Sequence, residues 1–307
     1  MLQRWGNWMW VSIYSLMLIL LLTPFSPFVI HFVMVPLVVL FSLYPLKKTA
    51  VPFLVILGIY SLLNWSIGLL LFMFTLFLLA PSLLMGRMNR QKKHAAEVIF
   101  SGFAVLLAQF MLVLVIAYFN YDFNIIHWLE KQLQAAFGTV TTFYQILFPE
   151  IDFATQFREL IDLIIVLLTT IIIFLSVYLS WISYMVGRWL LMKRGVELPA
   201  FLPIRDWRLP RSLIWYNIIV IVAGLLIEDK TSFLYALHMN LFVILLVLFW
   251  LQGISFFYFI CYHKKWSGVF PLIGICASIF TPILYLFSIV GLLDMLFPFR
   301  QRMNDKE

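Results

Sequence analysis

Apolar residues run almost unbroken through this chain, and short polar breaks cut the run into helix-length pieces. The pieces predict a first helix over about 8–23, closed by Pro24 and Pro27, each of which removes a backbone donor and biases its predecessor away from helix. A second helix follows over about 28–45, a third over about 50–64, a fourth over about 66–85 and a fifth over about 97–119. Residues 120–161 interrupt the apolar run without losing helical order. Ile125, Leu129, Leu133, Phe137, Val140 and Tyr144 recur at helical spacing, while His127, Glu130, Lys131 and Gln134 take the opposite face. This predicts an amphipathic helix over about 123–148, N-capped by Asp122 or Asn124 and stopped by Pro149, lying along the outer membrane surface or capping the bundle.

From Asp152 to about Gly187 the pattern predicts one long helix, and two more follow over about 212–227 and 233–262. The closing apolar stretch, about 267–298, carries Pro282 in its middle. As one helix it would reach about 45 Å, against a hydrocarbon core of about 30 Å. It is therefore a long kinked helix or a pair of half-spans. The expected fold class is all-α: a polytopic membrane helical bundle of eight to ten transmembrane segments.

Composition agrees with a bilayer as solvent. The chain is 64% hydrophobic and 11% charged, where a soluble domain averages about 25% charged residues. Charge then orients it, because basic breaks stay cytoplasmic. Lys47–Lys48, Arg87 to Lys93, Arg188 to Arg211 and Lys264–Lys265 occupy every second break. Of 21 lysines and arginines only Lys131, Arg158 and Lys230 then lie outside, provided the tail with Arg300, Arg302 and Lys306 lies inside. The N-terminus is expected in the cytoplasm, with the first helix retained. The net charge of +7 is explained by orientation and anionic headgroups, so no nucleic-acid partner is expected. Cys261 and Cys276 sit in apolar runs without metal-ligand spacing and read as buried thiols.

The expected organisation is a six-helix module over 1–190, a basic proline-rich cytoplasmic loop over 191–211, C-terminal transmembrane helices over 212–300 and a polar tail over 301–307. Within the loop, Phe201-Leu202-Pro203-Ile204-Arg205-Asp206-Trp207-Arg208-Leu209-Pro210-Arg211-Ser212-Leu213-Ile214-Trp215 resembles the central loop of the YybS (DUF2232) family of bacterial membrane proteins. The ending Gly291-Leu292-Leu293-Asp294-Met295-Leu296-Phe297-Pro298-Phe299-Arg300 is similar to that family's closing signature. The resemblance implies a bacterial cytoplasmic membrane. It also implies kinship with the S components of energy-coupling-factor transporters, which bind small solutes in a six-helix module. S components dock through small residues along their first helix, whereas Trp8 to Ser15 offers only Ser12 and Ser15.

No His-Glu-x-x-His, Cys-x-x-Cys, P-loop or Gly-x-Ser-x-Gly pattern occurs, so no catalytic residue, metal site or cofactor is expected and the chain does not read as an enzyme. Polar groups at membrane depth are costly and are functional suspects by default. They mark Asn64, Gln109, Asn217, His238, Asn240 and Gln252 as candidate ligand contacts, Asn64 with Gln109 being the pair that fits the six-helix module best. Interhelical hydrogen bonding is the competing role for each. His238 and Asn240 flank Met239 and so face different ways. Asp294, six residues before Arg300, is expected to form an interfacial ion pair or to serve the helix end. Arg205, Trp207, Arg208 and Arg211 form a candidate surface for a partner or for lipid headgroups. Two functions follow: a small-solute binder of S-component type, or a scaffold that recruits another membrane or soluble protein through residues 187–211.

Overall fold

A computed structural model describes residues 6–304, apart from positions 64, 122, 123, 149, 151, 279 and 298 and the side chains of some helical residues, most of them between 50 and 65. Among the described residues every regular element is helical. The first nine helices are α1 (Gly6–Leu20), α2 (Ser26–Val29), α3 (Val35–Leu43), α4 (Leu46–Leu63), α5 (Trp65–Arg90), α6 (Ala95–Tyr121), α7 (Ile125–Leu147), α8 (Phe153–Val166) and α9 (Leu168–Met192). After a proline-rich loop with one 3-10 turn at Ile204–Asp206 come α10 (Ser212–Leu226), α11 (Phe233–His263), α12 (Val269–Ser278), α13 (Thr281–Leu296) and α14 (Phe299–Asn304).

Four helices are long and apolar enough to cross a bilayer: Ser66–Arg90, Ala95–Phe119, Leu168–Met192 and Phe233–His263. The bent pair α12–α13 makes a fifth if it counts as one span, and α1 and α10 are shorter apolar helices. The expected eight to ten segments included such short helices. Three expected helices are broken. The second, 28–45, is split into α2 and α3, with a proline at the start of each. The long helix from Asp152 breaks at Leu167. The closing stretch bends by 114° between α12 and α13, where Pro282 starts α13 with no backbone donor to lose.

The chain packs as two compact units, Met1–Trp128 with Ile171–Phe201, and Leu129–Thr170 with Leu202–Glu307. This division falls elsewhere than the expected boundary near residue 190. In the first unit α3 is buried on every side, with Leu37, Val38, Val39, Leu40 and Phe41 fully enclosed. Eight apolar residues and Ser42, without a polar face, form a core helix, too short at about 13 Å to cross a membrane alone. Its last carbonyls lack intrahelical donors. Arg90, at the end of α5, supplies them by donating to the Phe41 and Tyr44 carbonyls, and Asn89 donates to the Ser42 hydroxyl at 2.9 Å. Gly86 permits the approach, since a Cβ there would collide with the Phe41 backbone. Arg90 thus caps a buried helix as well as marking a basic break.

In the second unit α11 is the axis, and α13 packs along it in parallel. The order of contacts shows the direction: Ser288 donates to Leu246 O at 3.1 Å, Gly291 meets Phe249, and Gln252 donates to Asp294 at 2.6 Å. Gly253 and Gly291 make the approach reciprocal. A Cβ on Gly253 would strike Phe287 O, and one on Gly291 would strike Phe249 O. Close backbone contact through glycine is how apolar helices pack without a hydrophobic drive between them. Helices α7 and α8 also belong largely to this unit, with Phe137 stacked on Phe157 at 5.1 Å. Asn124 and Asp152 cap them, accepting from His127 N and Thr155 N. The Thr155 hydroxyl also donates to Asp152 and, with the backbone bonds, holds its carboxyl below the usual range. Cys261 is buried as expected, but Cys276 is exposed on α12.

Candidate functional site at the proline-rich loop

Met192 ends α9, and Gly195, at φ +77°, turns the chain in the left-handed region that glycine adopts freely. Prolines 199, 203 and 210 then keep the backbone from re-forming a long helix. Such a loop leaves its peptide groups without regular partners, so each must be met by a side chain or by water. In the first unit Tyr184 donates to Pro199 O at 2.6 Å and Arg188 to Leu198 O at 3.1 Å. In the second unit Gln252 accepts from Leu209 N at 2.9 Å, and Ser255 donates to Trp207 O at 2.9 Å. Arg300 donates to Arg205 O at 2.6 Å.

These last three bonds converge on one buried polar node. Arg300 is 4% exposed and Gln252 is 3% exposed. The Arg300 guanidinium engages both Asp294 carboxylate oxygens, with its closest contact at 2.6 Å, and donates to Ser255 at 3.1 Å. The rings of Phe256 and Phe259 lie 5.7 and 5.4 Å from its guanidinium carbon. A buried guanidinium is tolerable only when its charge and its donors are met, and here they are. The Gln252 amide is likewise shared between Leu209 and Asp294. The node therefore joins the two segments that carry the sequence signatures, 201–215 and 291–300. Gly291 is there for the close approach to α11, and Asp294 is there for Arg300.

A family model described as a predicted membrane protein, DUF2232, matches residues 11–295. The chain belongs to the DUF2232 family. It is 25% identical over 218 residues to the uncharacterized protein YybS of Bacillus subtilis (strain 168), covering 70% of this chain and 71% of that one. No solved structure gives a significant match. The matched span takes in the loop, Gln252 and Asp294 and stops short of Arg300. As a DUF2232 membrane protein, the chain is embedded in lipid through several apolar helices.

The DUF2232 chain distributes the polar residues expected at membrane depth over several places. Asn64 lies outside the described residues. Gln109 is half-buried in α6, its Oε1 enclosed and without a hydrogen-bond partner among the described residues. Asn217 is half-buried on α10. His238 packs its ring over Gly224 of α10 and on Phe242, with Nδ1 enclosed and unpartnered among the described residues. Asn240 points elsewhere, into the break between α8 and α9. Its Nδ2 donates to Val166 O at 2.7 Å and its Oδ1 accepts from Thr170 N at 2.9 Å, so the amide occupies the place of one i to i+4 helical bond. It also donates to Ala236 O and accepts from the Thr170 hydroxyl, both at 2.7 Å. Its four hydrogen-bonding positions are thereby filled within the protein.

On the loop, Arg205 lies over the Tyr262 ring at 3.7 Å and 3.8 Å from Asp206, and Trp207 donates its indole N–H to Leu202 O at 2.8 Å. Arg208 and Arg211 are exposed. Sequence reasoning singled out the loop arginines, Gln252 and the Asp294–Arg300 pair. It missed Ser255 and Gly253, small residues in a largely apolar run that announce nothing until α13 is placed against them.

Proposed function

We propose that this protein is a non-catalytic membrane-embedded scaffold that recruits a partner through its basic proline-rich loop on the cytoplasmic side. The observation that carries this reading is the locking of the loop by Gln252, Ser255 and Arg300. A loop serving only as a topological signal has no need of a buried ion pair beneath it. Fixing the backbone at Arg205, Trp207 and Leu209 presents the exposed Arg208 and Arg211 in one arrangement, which lowers the ordering cost of binding an acidic surface. The described core of the first unit, packed with Leu, Val, Phe and Met side chains, supports the same reading. Site-directed photo-crosslinking from position 202 in intact cells tests it. One discrete adduct is expected, and R208E/R211E is expected to abolish it. An adduct that survives both charge reversals overturns the reading.

One observation favours solute binding of S-component type. A groove of about 670 Å³ runs between α7 and α8, with Phe137, Phe157 and Ile161 on its apolar side and Gln134, Gln145 and Arg158 at its polar edge. Such a groove suits an amphipathic solute. Native mass spectrometry of the purified protein should then show a co-purifying small molecule that F137A/F157A removes.

A further inference from the structure

The geometry points to a second property of the loop: we propose that the cavity above the Asp294–Arg300 pair is a binding site for a phosphate group. The cavity measures about 100 Å³ and is lined by Arg208, Arg211, Gln252, Asp294, Arg300 and Gln301 among others. At about 30 Å³ for each water, it has room for roughly three. Three arginines and one aspartate contribute charge to it. Asp294 is neutralised in place, since its oxygens receive Arg300 and Gln252. The excess positive charge belongs to Arg208 and Arg211, whose guanidinium groups form no hydrogen bond or ion pair among the described residues.

Both arginines are held in position through the backbone between them, because Leu209 N is bonded to the buried Gln252. Helix α10 begins directly after Arg211 with no acidic residue in its first turn and no side-chain cap, so its positive end adds to the local field. Two guanidinium forks facing a small polar hollow match a group that offers several oxygens and nearly two negative charges. A carboxylate offers only two oxygens and one charge. A phosphate monoester of a membrane lipid and a free phosphate ion share this chemistry. The site goes beyond the recruiting role and does not require it, since a phosphate group binds whether or not a protein partner docks.

The test uses the full chain purified in neutral detergent, with inorganic phosphate and dioleoyl phosphatidic acid as separate probes, read by native mass spectrometry and by the shift in melting temperature. Saturable one-to-one binding is expected. It should fall at least tenfold in R208Q/R211Q, fall also in Q301E, which sets a carboxylate at the rim without touching the arginines, and stay unchanged in K264Q/K265Q. Binding of phosphatidic acid alone assigns the site to a lipid headgroup, and binding of inorganic phosphate assigns it to a soluble phosphate. The proposal is overturned by three outcomes: neither probe binds one to one, R208Q/R211Q binds like the unaltered protein, or K264Q/K265Q loses as much affinity as R208Q/R211Q. None of these outcomes bears on the crosslinking result, so the two readings fail separately.

Discussion

Arg300 concentrates more of the second unit's polar bonding than any apolar residue around it could replace. It reaches Asp294, Ser255 and the carbonyl of Arg205 at once. With both partners of the ion pair at most 5% exposed, removing one leaves the other charged and enclosed. Asp294→Asn should therefore destabilise the protein by about 3–5 kcal/mol, the usual cost of breaking a buried pair from one side. D294L/R300M, which removes both charges, should recover part of that loss. Chemical denaturation in detergent micelles, comparing the two variants, checks the difference. A D294N protein as stable as the parent would mean that the pair is solvated. At this scale the sequence revealed charge but not partnership: Asp294 and Arg300 stand six positions apart and were readable as a pair, whereas their links to Ser255 and Arg205 join distant segments.

At the scale of the element, the contact between α11 and α13 depends on two glycines. Replacing Gly291 or Gly253 by Ala sets a Cβ against a carbonyl of the facing helix, and a backbone atom cannot rotate away. Each substitution should cost about 1–3 kcal/mol as overpacking and lower the melting temperature, while Gly58→Ala, where a Cβ meets nothing within 4 Å, should leave it unchanged or raise it. Helix breaks were harder to read than helices. Pro282 announced the bend between α12 and α13. The break at Leu167 has no proline or glycine beside it, and its cause, the Asn240 amide inserted between Val166 and Thr170, is more than seventy residues away in sequence. Local pattern located the helices well because apolar runs are local, and it missed what a distant side chain does to one of them.

Over the whole second unit, the parallel course of α11 and α13 decides the side of the tail. Helix α11 ends at His263, and α13 runs the same way beside it, so α12 enters and α13 returns to the side from which α12 left. Arg300, bonded to Arg205, places α14 on the same face as the proline-rich loop and opposite Asp229. In a background lacking Cys276, a cysteine at Arg302 should react with an impermeant reagent from the same side as one at Arg211, and from the opposite side to one at Asp229. Labelling of positions 302 and 229 from one side would refute this topology. The arrangement fits the charge pattern, which favoured a tail on the basic side. It also has a consequence for biosynthesis. Arg300 is translated after every segment that it fastens: the loop, α11 and α13. During synthesis the loop must therefore wait, its carbonyl at Arg205 unmet and the Asp294 charge met only by the Gln252 amide, until the polypeptide has passed residue 300. A chain interrupted before that point holds the loop by Gln252 and Ser255 alone, with the Asp294 charge enclosed and lacking its counter-ion.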